Sequence, residues 1–208
     1  MAGLAALCIA SQDYCSAKPA NTVISSLDNS GSAIVNDNVS CTFGYSLTLG
    51  GSDASVTQLG VWDQGNDGLA EAHSVGLWTS TGTLLASAIV PSGTSASLYN
   101  GFRYMNIAPL NLSAGTTYVL GVYDDALNTD EITFQQTVTL GSDIASIGAP
   151  LLLDGIDLAF PTTPIDGNAE GFFGPNAMLS VSAVPEPSTL ALAGMGGLGC
   201  LLLFRRRK

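Results

Sequence analysis

Residues 39–49 read VSCTFGYSLTL, and Val39, Cys41, Phe43, Tyr45, Leu47 and Leu49 alternate one for one with Ser40, Thr42, Gly44, Ser46 and Thr48. Successive side chains of a strand leave opposite faces, so an unbroken period of two specifies a strand with one buried and one polar face. Gly50-Gly51 ends it. Shorter β-rich runs recur at 56–62, 74–79, 83–90, 102–108, 116–123, 132–140 and 178–181. Between them lie the turn signals Asp67-Gly68, Thr81-Gly82, Pro91-Ser92-Gly93, Asn100-Gly101, Ser113-Ala114-Gly115 and Asp154-Gly155. Glycine supplies positive φ and proline fixes φ, so these clusters cut the chain into hairpin-sized pieces. Outside the two ends no stretch keeps a helical period. About eight strands at this spacing predict an all-β domain, an antiparallel β-sandwich of jelly-roll or immunoglobulin-like type. Residues 18–183 form that domain, long enough for one sizeable core.

The ends differ in composition. The chain closes with VPEPSTLALAGMGGLGCLLLFRRRK, in which Pro185 and Pro187 hold Val184, Glu186 and their own backbone extended. Residues 189–204 then carry no charge, and as a helix they span about 24 Å. Arg205, Arg206, Arg207 and Lys208 follow at once, and their long stems reach the headgroups, which lets a short helix cross. A C-terminal transmembrane helix over 189–204 is expected, with the basic tail as a cytoplasmic stop and the β domain outside. At the other end, residues 4–10 make a short apolar run, and Cys15-Ser16-Ala17 puts small residues at the −3 and −1 positions of a cleavage site. A signal peptide over 1–17 is expected, with its true start upstream because no cation precedes Lys18. Cleavage after Ala10 is the second option.

Processing decides the cysteine count. With both ends removed, Cys41 is what remains of four cysteines, so no even disulfide framework is expected. Cys41 then acts as a small buried hydrophobe. Cleavage after Ala10 would instead make a Cys15–Cys41 bridge available.

Within 18–183 there are 15 acidic residues against two cations, Lys18 and Arg103. Such a field repels nucleic acid and anionic lipid and favours a divalent counter-ion. The loop 63–71 concentrates oxygen donors, and Asp63, Asn66, Asp67 and Glu71 are a candidate Ca²⁺ site. The ligand order of an EF-hand is absent. The competing reading is a loop whose Asp and Asn side chains cap its own turns. Asp124, Asp125, Asp130 and Glu131 form a second acidic loop, read as solvated turn chemistry.

His73 is the only histidine, which excludes a His-rich metal site; it is expected to shape its loop by donating a ring hydrogen bond. Neither a nucleophile elbow, an H-E-x-x-H pair nor a phosphate-cradling loop occurs, so no catalytic residue is nominated and the chain is not expected to be an enzyme. Trp62, Trp78, Tyr99, Phe102, Tyr104, Tyr118 and Tyr123 offer flat faces suited to sugar rings. Strand alternation should bury most of them.

Val184-Pro185-Glu186-Pro187, the glycine-rich apolar run and the Arg cluster together resemble the PEP-CTERM sorting signal of bacterial surface proteins. That resemblance implies recognition by an exosortase, a membrane cysteine transpeptidase, with cleavage near Val184, Pro185, Glu186 and Pro187. It also implies a transient stay in the inner membrane of a Gram-negative bacterium before release to the cell surface or matrix. A second resemblance covers roughly residues 40–181. It rests on Leu59-Gly60-Val61-Trp62-Asp63, Asp67-Gly68-Leu69, His73, Val75-Gly76-Leu77-Trp78, Gly101-Phe102-Arg103-Tyr104 and Phe173-Gly174-Pro175-Asn176. These look like the DUF4082 group of β-sandwich domains, which implies a fold but no catalytic residues. The expectation is a structural or adhesive surface protein linked to exopolysaccharide and biofilm. The alternatives are a calcium-assisted carbohydrate-binding module and a glycan-active enzyme.

Overall fold

The computed structural model describes residues 21–28, 33–34, 39–130, 132–133, 137–165 and 173–181. The expected signal peptide, the sorting residues Val184 to Pro187, the helix 189–204 and the basic tail lie outside them. In chain order the strands are β1 (Asn21–Thr22), β2 (Ile24–Leu27), β3 (Ala33–Ile34), β4 (Cys41–Leu49) and β5 (Ala54–Trp62). A 3-10 turn (Gln64–Asn66) follows, then β6 (His73–Thr79), β7 (Leu84–Val90), β8 (Ser97–Tyr99), β9 (Phe102–Leu112) and β10 (Thr117–Asp124). The last five are β11 (Ile132–Thr133), β12 (Val138–Leu140), β13 (Ile144–Asp154), β14 (Thr163–Pro164) and β15 (Pro175–Val181). Among the described residues no helix is long and apolar enough to cross a membrane.

Two antiparallel sheets carry the domain, ordered β1-β15-β5-β9-β8 and β14-β13-β4-β10-β6-β7, with the small pairs β2–β12 and β3–β11 beside them. The alternation in residues 41–49 explains the second sheet. Tyr45 stands opposite Leu120, which stands opposite Leu77, which stands opposite Ala86; Phe43, Val122, Val75 and Ala88 form the next row. Paired residues share a face, so both rows point the same way. They join Leu59, Val61, Leu112, Ala177 and Leu179 of the first sheet in one buried cluster, the core of a two-layer sandwich.

The row between those two is Gly44, Gly121 and Gly76. A Cβ at Gly76 would lie 2.3 Å from the Trp78 ring, and one at Gly44 would lie 2.0 Å from the Leu120 carbonyl oxygen. The missing side chains of Gly76 and Gly121 leave room for the indole, while that of Gly44 lets its backbone approach β10. Phe160 meets that indole edge-on at 6.2 Å, and Trp78 is buried outside the main core.

Several strand assignments need correction: the short strands β1, β2, β3, β8 and β14 fall outside the expected runs, and two longer differences matter for the sheets. The run 132–140 divides into β11 and β12, and β13 was missed. Gly148 and Pro150 interrupt the apolar pattern of β13, and its pairing with β4 shifts register between Ile144 and Ser146 and again between Ile147 and Pro150. A bulged strand loses its period of two.

Candidate functional site

Two loop clusters gather the charged side chains. The first is built around Arg103, which stands opposite Val61 near the start of β9, while Asp63 follows β5 two residues further on. Strand alternation brings Asp63 to the face of Arg103. Arg103 Nε donates to Asp63 Oδ2 at 2.6 Å, with both side chains almost wholly buried. Its Nη1 donates to the carbonyls of Thr94 and Ala96 at 3.2 and 3.1 Å, and Nη2 to that of Asn66 at 3.3 Å. Gly68 N–H donates to both Asp63 oxygens at 3.2 Å. A bridge between Leu69 and Gly93 ties the two loops above the guanidinium.

The structure does not gather the candidate calcium ligands Asp63, Asn66, Asp67 and Glu71 into one site. Asp63 is committed to Arg103 and Gly68, and Asn66 offers its backbone carbonyl to the same arginine. Glu71 bonds elsewhere, accepting from Thr129 N–H at 3.0 Å. Among the described residues no three His, Cys, Asp or Glu side chains are grouped to hold a metal. Sequence reasoning missed Arg103 as the partner. The signal was available, since Arg103 is the one cation between Lys18 and the tail and sits in a strand.

The second cluster surrounds His73 at the start of β6. His73 Nε2 donates to Asp130 Oδ2 at 2.8 Å, while Nδ1 lies 3.5 Å from the Tyr123 carbonyl oxygen. Asp130 also accepts from Ala70 N–H at 2.7 Å and Glu71 N–H at 3.1 Å. Asn128 donates to buried Asp124 and accepts from Asp130 N–H at 2.8 Å. Thus Asp130 caps the strand carrying His73, and Glu71 reaches back to Thr129. The expectation that His73 shapes its loop by a ring hydrogen bond holds. The reading of the second acidic loop as solvated turn chemistry holds for Asp125, which is exposed and accepts from Leu127 N–H at 3.0 Å, but not for Asp124, which is buried, or Asp130, which is half-buried under the imidazole; Glu131 lies outside the described residues.

Burial by itself pushes the His73 pKa down, but the hydrogen bond and charge of Asp130, the charge of Asp124 and the Tyr123 carbonyl outweigh it and leave the imidazole above its ordinary value. Burial pushes Asp130 up, yet the hydrogen bonds from His73, Ala70 and Glu71 and the His73 charge hold it below the ordinary carboxylate value. With acceptors at both ring nitrogens, the imidazolium is the form that fits. A cleft of about 340 Å³ opens beside the pair, lined by Glu71, His73, Tyr123, Asp125, Leu127 and Asn128. It combines the ring of Tyr123 with the exposed carboxylates of Glu71 and Asp125, which can hydrogen-bond hydroxyl groups. Of the aromatic residues expected to be divided between core and surface, Trp78, Phe102, Tyr104 and Tyr118 are buried and Tyr99 is exposed. Cys41 lies buried in the core cluster, and Cys15 is outside the described residues.

The architecture is that of an antiparallel β domain with a separate C-terminal signal. The chain belongs to the family described as a domain of unknown function, DUF4082, whose model matches residues 29–169. A PEP-CTERM protein-sorting motif matches residues 183–208, the tail of an exported protein processed by an exosortase. No curated protein and no solved structure matches the chain.

Proposed function

We propose that this chain is a structural or adhesive protein of the cell surface or extracellular matrix, linked to exopolysaccharide and biofilm. The observation that carries the reading is the position of the sorting motif. β15 ends at Val181, and the motif begins at residue 183. Cleavage near Pro185 therefore removes the tail without touching any of the described strands. The two ion pairs support a scaffold role, since Arg103 and Asp63 are buried against each other and Asp130 is held by His73 and two backbone amides.

The test is mass spectrometry of the C-terminus recovered from the cell surface or matrix. The expected species ends near Val184 to Pro187, and replacing Pro185, Glu186 and Pro187 with alanine leaves export intact while holding the uncut chain in the inner membrane. A surface protein that still carries Arg205, Arg206, Arg207 and Lys208 would make the tail a plain anchor. A second reading is favoured by the cleft beside His73: binding of a glycan by Asp125, Glu71 and Tyr123 without calcium. Asp125→Ala should then abolish retention on the producer's own exopolysaccharide, and equal retention of both proteins rejects it.

A further inference from the structure

Each sheet has two edges, and the four edges are not alike. β1 and β14 have two residues each and β8 has three, whereas β7 has seven. Very short edge strands are a common protection against unwanted pairing, as are charges and proline on an edge. β7 has none of these; it reads LLASAIV. Beyond β8, the free part of β9 is interrupted by Pro109, which has no N–H to offer. Among the described residues β7 pairs with β6 alone, so its outer row of N–H and C=O groups faces outward.

The surface around this edge is apolar and without net charge. From residue 74 to residue 123 the chain has one charged side chain, Arg103, and it is buried against Asp63. Leu84 and Ile89 of β7 are 50% and 65% exposed. Beside them runs a groove of about 480 Å³ between β7 and β9, lined by Ala86, Ala88, Met105, Ile107 and Leu110.

We propose that β7 pairs antiparallel with β7 of a second copy of this chain, joining the two six-stranded sheets into one across a two-fold axis near Ser87. Charge permits a second copy at this edge. The chain carries a net charge of −11, so two copies repel over most of their surfaces, and this flank lets them meet without opposing carboxylates. A two-fold contact is self-complementary, and an antiparallel strand pair satisfies that condition by construction. Seven residues give a ladder roughly 23 Å long. In it Ala86 and Ala88 of each copy close the groove over the other's Met105 and Ile107.

The test uses the full chain exported in a Gram-negative host. At a two-fold centre, Ser87 meets its own counterpart with Cα atoms about 4.5–5.5 Å apart, within the span that a disulfide bridges. Ser87→Cys should give at least about tenfold more disulfide-linked dimer on oxidation than Ser80→Cys, which places the thiol on the exposed turn beyond β6. Adding Ile89→Lys to Ser87→Cys should return the dimer to the control level while leaving the melting temperature of the domain unchanged, because Ile89 is mostly exposed. Equal cross-linking at positions 80 and 87, or persistence of the dimer in the double variant with an unchanged fold, overturns the proposal. A cross-linked product at position 87 with the mass of a different protein overturns the assignment of a second copy. The sorting reading is unaffected by any of these results, since cleavage is read from the C-terminus.

Discussion

The Arg103–Asp63 and His73–Asp130 pairs do the same mechanical work with different chemistry. Each ties loops to a strand start and satisfies backbone groups that would otherwise be buried without partners. Arg103 and Asp63 are almost entirely removed from water. His73 titrates, and Asp130 stays partly in contact with solvent. The first pair therefore ties one end of the sandwich from within the protein, whereas the second makes the 124–130 loop sensitive to protons.

The strongest way to break this comparison is to remove one member of the buried pair. Arg103→Met should cost about 3–5 kcal/mol in urea denaturation, because Asp63 is left buried without a counter-charge. Asp63→Leu with Arg103→Met should recover much of that loss, since two apolar groups leave no orphan charge. A loss below about 1 kcal/mol for the single variant would mean that water reaches Asp63 after all.

Next in size is the pH dependence of the His73 pair. The folded pKa of His73 is raised, so its contribution is complete below about 6.5 and is lost as pH rises through the folded value. The folded pKa of Asp130 is lowered, so its contribution is complete above about 4 and is lost as pH falls through the folded value. The pair should be strongest between those limits. Asp130→Asn should flatten the profile and cost about 1–3 kcal/mol inside the window. As His73 is the only histidine, its ring proton resonance can be followed without ambiguity. A midpoint at or below 6.5 would contradict the geometry.

Smaller effects sharpen the contrast. Glu71 is exposed, so Glu71→Gln should lower stability by no more than about 0.5 kcal/mol and speed hydrogen exchange chiefly at the Thr129 amide. The smallest expected effect is none. Millimolar calcium should leave the melting temperature where chelator leaves it, in the wild type and in Asp67→Ala alike. A ligand of the native state would raise it, so a rise that Asp67→Ala abolishes would restore the calcium loop.

What was legible from the residues follows from how far each signal reaches along the chain. Period two in 41–49 placed β4 because one strand buried on one face imposes its pattern locally. β13 was hidden, since Gly148 and Pro150 look like breakers until the bulged pairing with β4 accommodates them. Asp63 and Asp67 looked like ligands because oxygen-rich loops carry the same composition whether they hold a metal or a backbone turn.

By itself the sequence determined the all-β class, the approximate strand positions, the burial of most aromatic residues and the tail that sorts the protein. These depend on neighbours within a few residues or on a contiguous motif. Only the tertiary structure decided which carboxylate meets which cation. Asp63 and Arg103 lie 40 positions apart, and His73 and Asp130 lie 57 apart, so their meeting depends on strand register rather than on spacing in the chain. The same holds for β7, whose unprotected state is a property of its place at the end of a sheet. An interior strand with the same seven residues would have a partner on each side, and its sequence would give no sign of the difference.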